Sequence, residues 1–225
     1  MNKRKKILLT VSGIVILFLA GTILFVVLHL DRGAKRSEKQ ISRSSIYALS
    51  LIENKICDGD IILRAGSGVW SECAVDCSRR DKRFSHAGIL FFENDRWMVI
   101  HSEANGPIAN QAGVFIEPAV SFFNINKKFA VYRLKEREKA ANLAAYAKKY
   151  LNIPFDFSFV MEDQSKIYCT ELIYLAMQES GITLETYIHP ALKKRIIPVD
   201  SCNDPEIFDE IVLVDKNKFP ATSEK

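Results

Sequence analysis

The chain has 225 residues, 48% of them hydrophobic and 26% charged, which is enough for one domain with a substantial core and an appendage. Its formal charge of +4 comes from one end: residues 1–36 hold seven of the 31 basic residues and one of the 27 acidic ones, so the remainder carries 24 bases against 26 acids. A body with that balance excludes nucleic acid as a partner.

Ile7–Leu30 is a run of 24 residues without a charge, longer than the roughly 20 that a helix needs to cross a hydrocarbon core. Lys3–Lys6 precede it, and by the positive-inside rule residues 1–6 stay in the cytoplasm while the body is carried across. The run is too long for the apolar part of a cleaved signal peptide and no small-x-small site follows it, so 7–30 is predicted to be an uncleaved, single-pass anchor. The body is then periplasmic or extracellular. Residues 31–52 form a charged tether that turns amphipathic around Ile46–Ile52 into a short lead-in helix, 53–215 form the body, and 216–225 a polar tail.

Within the body, Asp58-Gly59-Asp60 breaks the chain before a buried strand at Ile61–Leu63. Gly66–Arg83, rich in Gly, Ser, Cys and charge, reads as a long irregular loop, a kind of segment that is uncommon unless it serves a site. Phe84–Glu93 is apolar on both faces, as a central strand is, and Asn94-Asp95 turns it into a second arm, Arg96–Ser102. His86 shares a face with Gly88 and Leu90, and His101 with Trp97 and Val99. Further strands are predicted at Val114–Glu117 and Phe129–Leu134, with a turn at Asn124–Lys128 between them. Glu136–Leu151 is predicted as one packing helix and Ile211–Val214 as an edge strand.

Asp163–Gly181 carries the strongest signal. Leu172, Ile173, Ala176 and Met177 stand three, four, seven and eight residues after Cys169, which places the thiol on the core-facing stripe in the first turn of a helix that Gly181 stops. Helix-start N–H groups and the helix dipole are expected to lower its pKa. A thiolate nucleophile needs a base, and the base needs a third group to fix its tautomer. His86 and His101 on adjacent strands are the candidates, with Glu103 a rival for the orienting place, and His189 before a proline reads as surface. The five cysteines are an odd number, so four can pair in three ways and one, expected to be Cys169, stays free. Cys73 and Cys77 have no second Cys or His pair at ligand spacing, so neither a metal nor a cofactor is expected. Asp60, Asp156 and Glu171 read as carboxylates that cap backbone N–H groups.

GDIIL at 59–63, SHAGIL at 85–90, VIHSEA at 99–104, IPFD at 153–156 and YCTEL at 168–172 together resemble the permuted papain-like amidases of the YaeF/YiiX family, relatives of the NlpC-type cell-wall peptidases, over about residues 53–214. The resemblance implies an α+β, circularly permuted papain-like fold in which an antiparallel sheet packs on helices and the His-bearing sheet precedes the Cys-bearing helix. It also implies Cys169 as nucleophile, His86 as general base, and His101 as third member, with Glu103 the alternative. Tyr168 is expected to help position substrate, and the Cys169 N–H to join an oxyanion hole. The implied reaction is acyl-thioenzyme cleavage of an amide, in cell-wall peptide first or in a lipid-like acyl amide or ester. A binding module that keeps the fold without turnover is the reading from another class.

Overall fold

The computed structural model describes residues 41–104, 112–124, 128–159, 161 and 163–220. The expected anchor at 7–30 and the basic residues ahead of it lie outside the described residues, among which no helix is long and apolar enough to cross a membrane.

Antiparallel strands β1 (Ile61–Arg64), β2 (His86–Glu93), β3 (Arg96–Glu103), β4 (Gly113–Pro118) and β5 (Lys128–Leu134), a two-stranded ribbon of β6 (Tyr187–Ile188) with β7 (Arg195–Ile196), and β8 (Phe208–Asp215) account for the sheets. The main sheet runs β4-β3-β2-β1-β5-β8. Helices cover both of its faces, which is why β1 and most of β2 are apolar at consecutive positions. On one side α1 (Arg43–Ser50) and a short helix at Ala119–Asn124 bury Ile62, Leu90 and Val99. On the other, Arg137–Ala140, Leu143–Lys148 and Cys169–Glu179 bury Ile61, Ala87, Ile89 and Tyr132. With α2 (Val69–Cys77) in the connection from β1 to β2, these are α3, α4, α5 and α6 in chain order.

The hairpin follows the sequence expectation closely. Asn94 and Asp95 adopt φ of +52° and +59°, the mirror-type turn whose twist suits a two-residue link, and Ile89 falls opposite Ile100. At its far end the strands part: β3 continues against β4 as far as Glu103, while its pairing with β2 stops at Ile89–Ile100.

Several expectations are corrected. Gly66–Arg83 is not irregular throughout: it contains α2, whose short apolar pattern is broken up by charged and cysteine positions, and Trp70 on that helix packs on Phe157 with ring centroids 5.3 Å apart. The link ahead of β5 holds α3, too short at six residues to show a period. The single helix predicted for 136–151 is two short ones, α4 and α5, broken at Ala141–Asn142. The tail begins later than 216, because Lys216 is buried with its Nζ donating to the Phe123 carbonyl at 2.8 Å.

Gly88 is a close-approach position: a Cβ there would lie 2.5 Å from Val99 Cγ1 and 3.2 Å from His101 Cβ. Gly88→Ala is expected to lower stability by about 1–3 kcal/mol and, by moving His101, to lower activity in the same variant. Thermal unfolding and turnover measured together check this.

Candidate active site

The cysteine helix is fixed at both ends. Gly181, at φ +72°, closes its C-terminus: Ile182 N–H donates to Met177 O and Gly181 N–H to Gln178 O, both at 2.9 Å. At the N-terminus Glu171 caps back to the Tyr168 N–H, as its spacing predicts. The turn around Cys169 is pinned from three sides. Ser102 on β3 donates to the Ile167 carbonyl at 2.5 Å, Ile167 N–H donates to Pro154 O at 2.9 Å, and Thr170 Oγ1 donates to Ile197 O at 2.7 Å. Cys169 is the first helical residue and is 8% exposed.

The sulfur sits where β2 and β3 part. Odd-numbered N–H groups of β2 point towards β3, and beyond Ile89 the ladder no longer takes them. The Ala87 and Thr170 N–H groups stand near enough to the Cys169 sulfur to favour its charged form. Burial dominates the thiol and pushes it up to about 11. The two N–H donors pull the other way, as expected of a helix start, but do not overcome it; the charge of Glu103 raises the value further and that of Arg64 lowers it. The expectation of a lowered pKa is therefore reversed, and at neutral pH the resting group is the thiol.

His86 and His101 come together, although not as strand alternation suggests. Their rings lie on the α3 side of the sheet, whereas α6 packs on the opposite face. His86 stacks on Phe122 with centroids 5.7 Å apart, and His101 meets the same ring edge-on at 5.1 Å. The sulfur lies near enough to Glu103 and Arg64, which stand on the histidines' side, for their charges to act on it. His86 Nε2 and His101 Nδ1 are 2.8 Å apart in a buried hydrogen bond. His101, with no exposed surface, has its Nε2 3.1 Å from Glu117 Oε1, a close contact outside hydrogen-bond geometry.

Glu103, the alternative third residue, is also close, with Oε2 3.8 Å from His101 Nδ1. Its other oxygen is taken by the buried Arg64, whose Nη2 donates at 2.6 Å. Arg64 further donates from Nη1 to Phe122 O at 3.0 Å and lies 4.2 Å above the Phe122 ring. Among the described residues His86, His101 and Glu103 are the one group whose ligand atoms lie close enough, within 4.8 Å, to share a metal ion. An ion there would have to compete with the Arg64 guanidinium for Glu103, so these groups do not make a ready-made metal centre.

Tyr168, expected to touch substrate, is 2% exposed and its hydroxyl accepts from the Ile197 N–H at 3.1 Å. Burial raises its pKa far above the usual phenol value. Its place is that of a strut: it locks the segment after β7 to the start of α6, and its ring packs on Phe159 at 5.1 Å. All five cysteines are free thiols; Cys73 and Cys77 stand four apart on α2, and Cys202 is buried close enough to Cys169 to sense its charge. Asp60 caps the Cys57 N–H at 2.8 Å and is gripped by Arg133, and Asp156 accepts from the Ser158 N–H at 2.7 Å, both structural as expected. Sequence reasoning misses Arg64, Ser102 and Glu117. For Arg64 and Glu117 the available signal is a charge inside a buried strand.

This geometry has relatives among known proteins. A family model described as "Permuted papain-like amidase enzyme, YaeF/YiiX, C92 family" matches residues 55–204. The uncharacterized protein YiiX of Escherichia coli K12 is 29% identical over 127 residues, 54% of this chain and 57% of YiiX, so the chain spans little more than half the length of that curated relative. The crystal structure of the metalloprotein yiiX from Escherichia coli O157:H7 superposes with a TM-score of 0.57 at 22% identity, covering 70% of this chain and 97% of that one, which shows a shared fold.

Proposed function

This chain belongs to the YaeF/YiiX family of permuted papain-like amidases, and from that premise we propose that it is a cysteine hydrolase in which Cys169 attacks an amide carbonyl while His86 takes its proton. The observation that carries this reading is the buried sulfur at the start of α6, near enough to the Ala87 N–H to feel it, while His86, the residue before Ala87, is hydrogen-bonded to a second histidine. Because the resting thiol is protonated, its proton leaves as the C–S bond forms. The imidazolium so created shares its Nε2–H with His101 and then protonates the leaving amine. Water, activated by the same imidazole, hydrolyses the acyl-thioenzyme. The Cys169 N–H at the helix start is the natural donor to the oxyanion.

His101 fills the third place better than Glu103, because it touches His86 directly while Glu103 is committed to Arg64. The relative described as a metalloprotein raises a metal for this site too, but the Arg64 guanidinium held against Glu103 opposes a cation there, and no step is assigned to an ion.

The apolar run at 7–30 supports an anchored enzyme with its body outside the cytoplasm, where cell-wall peptide is the accessible amide-rich polymer. Acyl amides or esters of lipid type are favoured by a different observation: half-exposed Trp70 and Phe157 lead through Phe159 to Tyr168, an aromatic path ending beside the nucleophile. Incubating the full chain with peptidoglycan fragments and, separately, with long-chain acyl amides decides between them. Release of amine from the first set alone is expected; release from neither removes the hydrolase reading.

A further inference from the structure

His101 occupies the middle of a line whose far end neither the sequence nor the family description marks. Its Nδ1 is hydrogen-bonded to His86 at 2.8 Å, and its Nε2 lies 3.1 Å from Glu117 Oε1, close enough for charge to act although outside hydrogen-bond geometry. All three groups are buried, Glu117 being 6% exposed on the strand next to His101. Phe115 and Phe122 meet the His101 ring edge-on at 4.5 and 5.1 Å, so the ring is clamped and its two nitrogens keep these neighbours. Two carboxylates therefore compete to decide which nitrogen of His101 carries its proton.

We infer that Glu117 is a positioning residue that sets the tautomer of both histidines, an inference that rests on the proposed role of His86. A carboxylate accepts and does not donate. Beside Nε2, its negative charge favours the His101 proton there over Nδ1 and leaves Nδ1 as a lone pair. His86 must then donate from Nε2 and keep its own lone pair on Nδ1, the nitrogen not spent on His101 and the one a base needs. Glu103 pulls the opposite way. Were it to draw the proton onto His101 Nδ1, His86 Nε2 would have to accept, its Nδ1 would carry the hydrogen, and no base would remain. Distance and charge both favour Glu117: it stands at 3.1 Å against 3.8 Å, and the charge of Glu103 is matched by Arg64 at 2.6 Å. The arrangement thus gives the Arg64–Glu103 pair a second task, which is to keep a rival carboxylate from capturing the relay.

The test is Glu117→Gln in the full chain, with ¹⁵N spectra of the histidine rings as the main readout. Wild type is expected to show His86 protonated on Nε2 and bare on Nδ1 at pH 8. In Glu117→Gln the Nδ1–H form of His86 should appear, and kcat/KM should fall about 10–100-fold, the range for residues that orient a reacting group through another. Glu117→Asp, which keeps the charge, should restore the wild-type tautomer in part. The ring spectra need no substrate, so they decide this inference even if the hydrolase reading fails. It is overturned if wild-type His86 carries its proton on Nδ1, or if Glu117→Gln folds and leaves the His86 spectrum unchanged. Should Glu117→Gln fail to fold, the wild-type and Glu117→Asp spectra still distinguish the two tautomers.

Discussion

Cys169→Ala is expected to lose amide hydrolysis by about 10⁵-fold or more, since removing the nucleophile of a covalent mechanism costs about as much as removing the whole catalytic set. The fold should hardly notice. The residue is the first of an eleven-residue helix, alanine favours that position at least as well, and only a sulfur is deleted from a site held by Ser102, Thr170 and Pro154. The stability change is expected to stay near 1 kcal/mol, about that of one buried methylene-sized group. Cys57→Ala, Cys73→Ala and Cys77→Ala serve as controls: these thiols lie outside the site and their variants should retain full activity. Turnover assays with thermal unfolding of the same samples separate loss of chemistry from loss of structure.

Arg64→Met is expected to be the most damaging change away from Cys169. The guanidinium is fully buried, donates to Glu103 and to the Phe122 carbonyl, and covers the Phe122 ring. Removing one partner of a buried pair costs about 3–5 kcal/mol, because the other charge is left in a poor environment. For a chain of this size that lowers Tm by about 10 °C. The variant should also lose activity beyond what instability explains, since Glu103 then presents an unmatched charge 3.8 Å from His101 Nδ1. Arg64→Met with Glu103→Gln removes both charges and should recover part of the stability and part of the activity. No recovery in the double variant would show that packing of the guanidinium on Phe122, and not the charge pair, is what matters.

Much of this is legible in the sequence because it is local. The hairpin that carries both histidines follows from alternation around Asn94-Asp95, and the Cys169 helix from a stripe of apolar residues ended by Gly181. The carboxylates at 60, 156 and 171 sit in short-range caps, and all three act as such. What sequence does not reveal is held by residues far apart in the chain. Arg64 meets Glu103 39 positions away, and the Tyr168 hydroxyl meets Ile197 29 positions away, contacts that no periodicity predicts. Register hides a further feature: strand alternation puts the histidines on the face away from the cysteine helix, against Phe122. The thiol pKa escapes sequence for a related reason, since helix-start donors are visible there while the depth of burial that overrides them is not.

The proposed chemistry stands on proton exchange between Cys169 and His86, and the pH profile of Cys169 alkylation by iodoacetamide, resolved by peptide mass spectrometry, tests it most directly. A thiol pushed up to about 11 by burial holds only a trace of thiolate at neutral pH, a fraction that grows tenfold with each pH unit until about 11. His86→Ala should follow that steep line. Wild type should instead rise at lower pH than His86→Ala and then level, because the neutral ring removes the proton as the sulfur attacks. Superimposable profiles for the two proteins would contradict the pairing of these two side chains and with it the hydrolase mechanism.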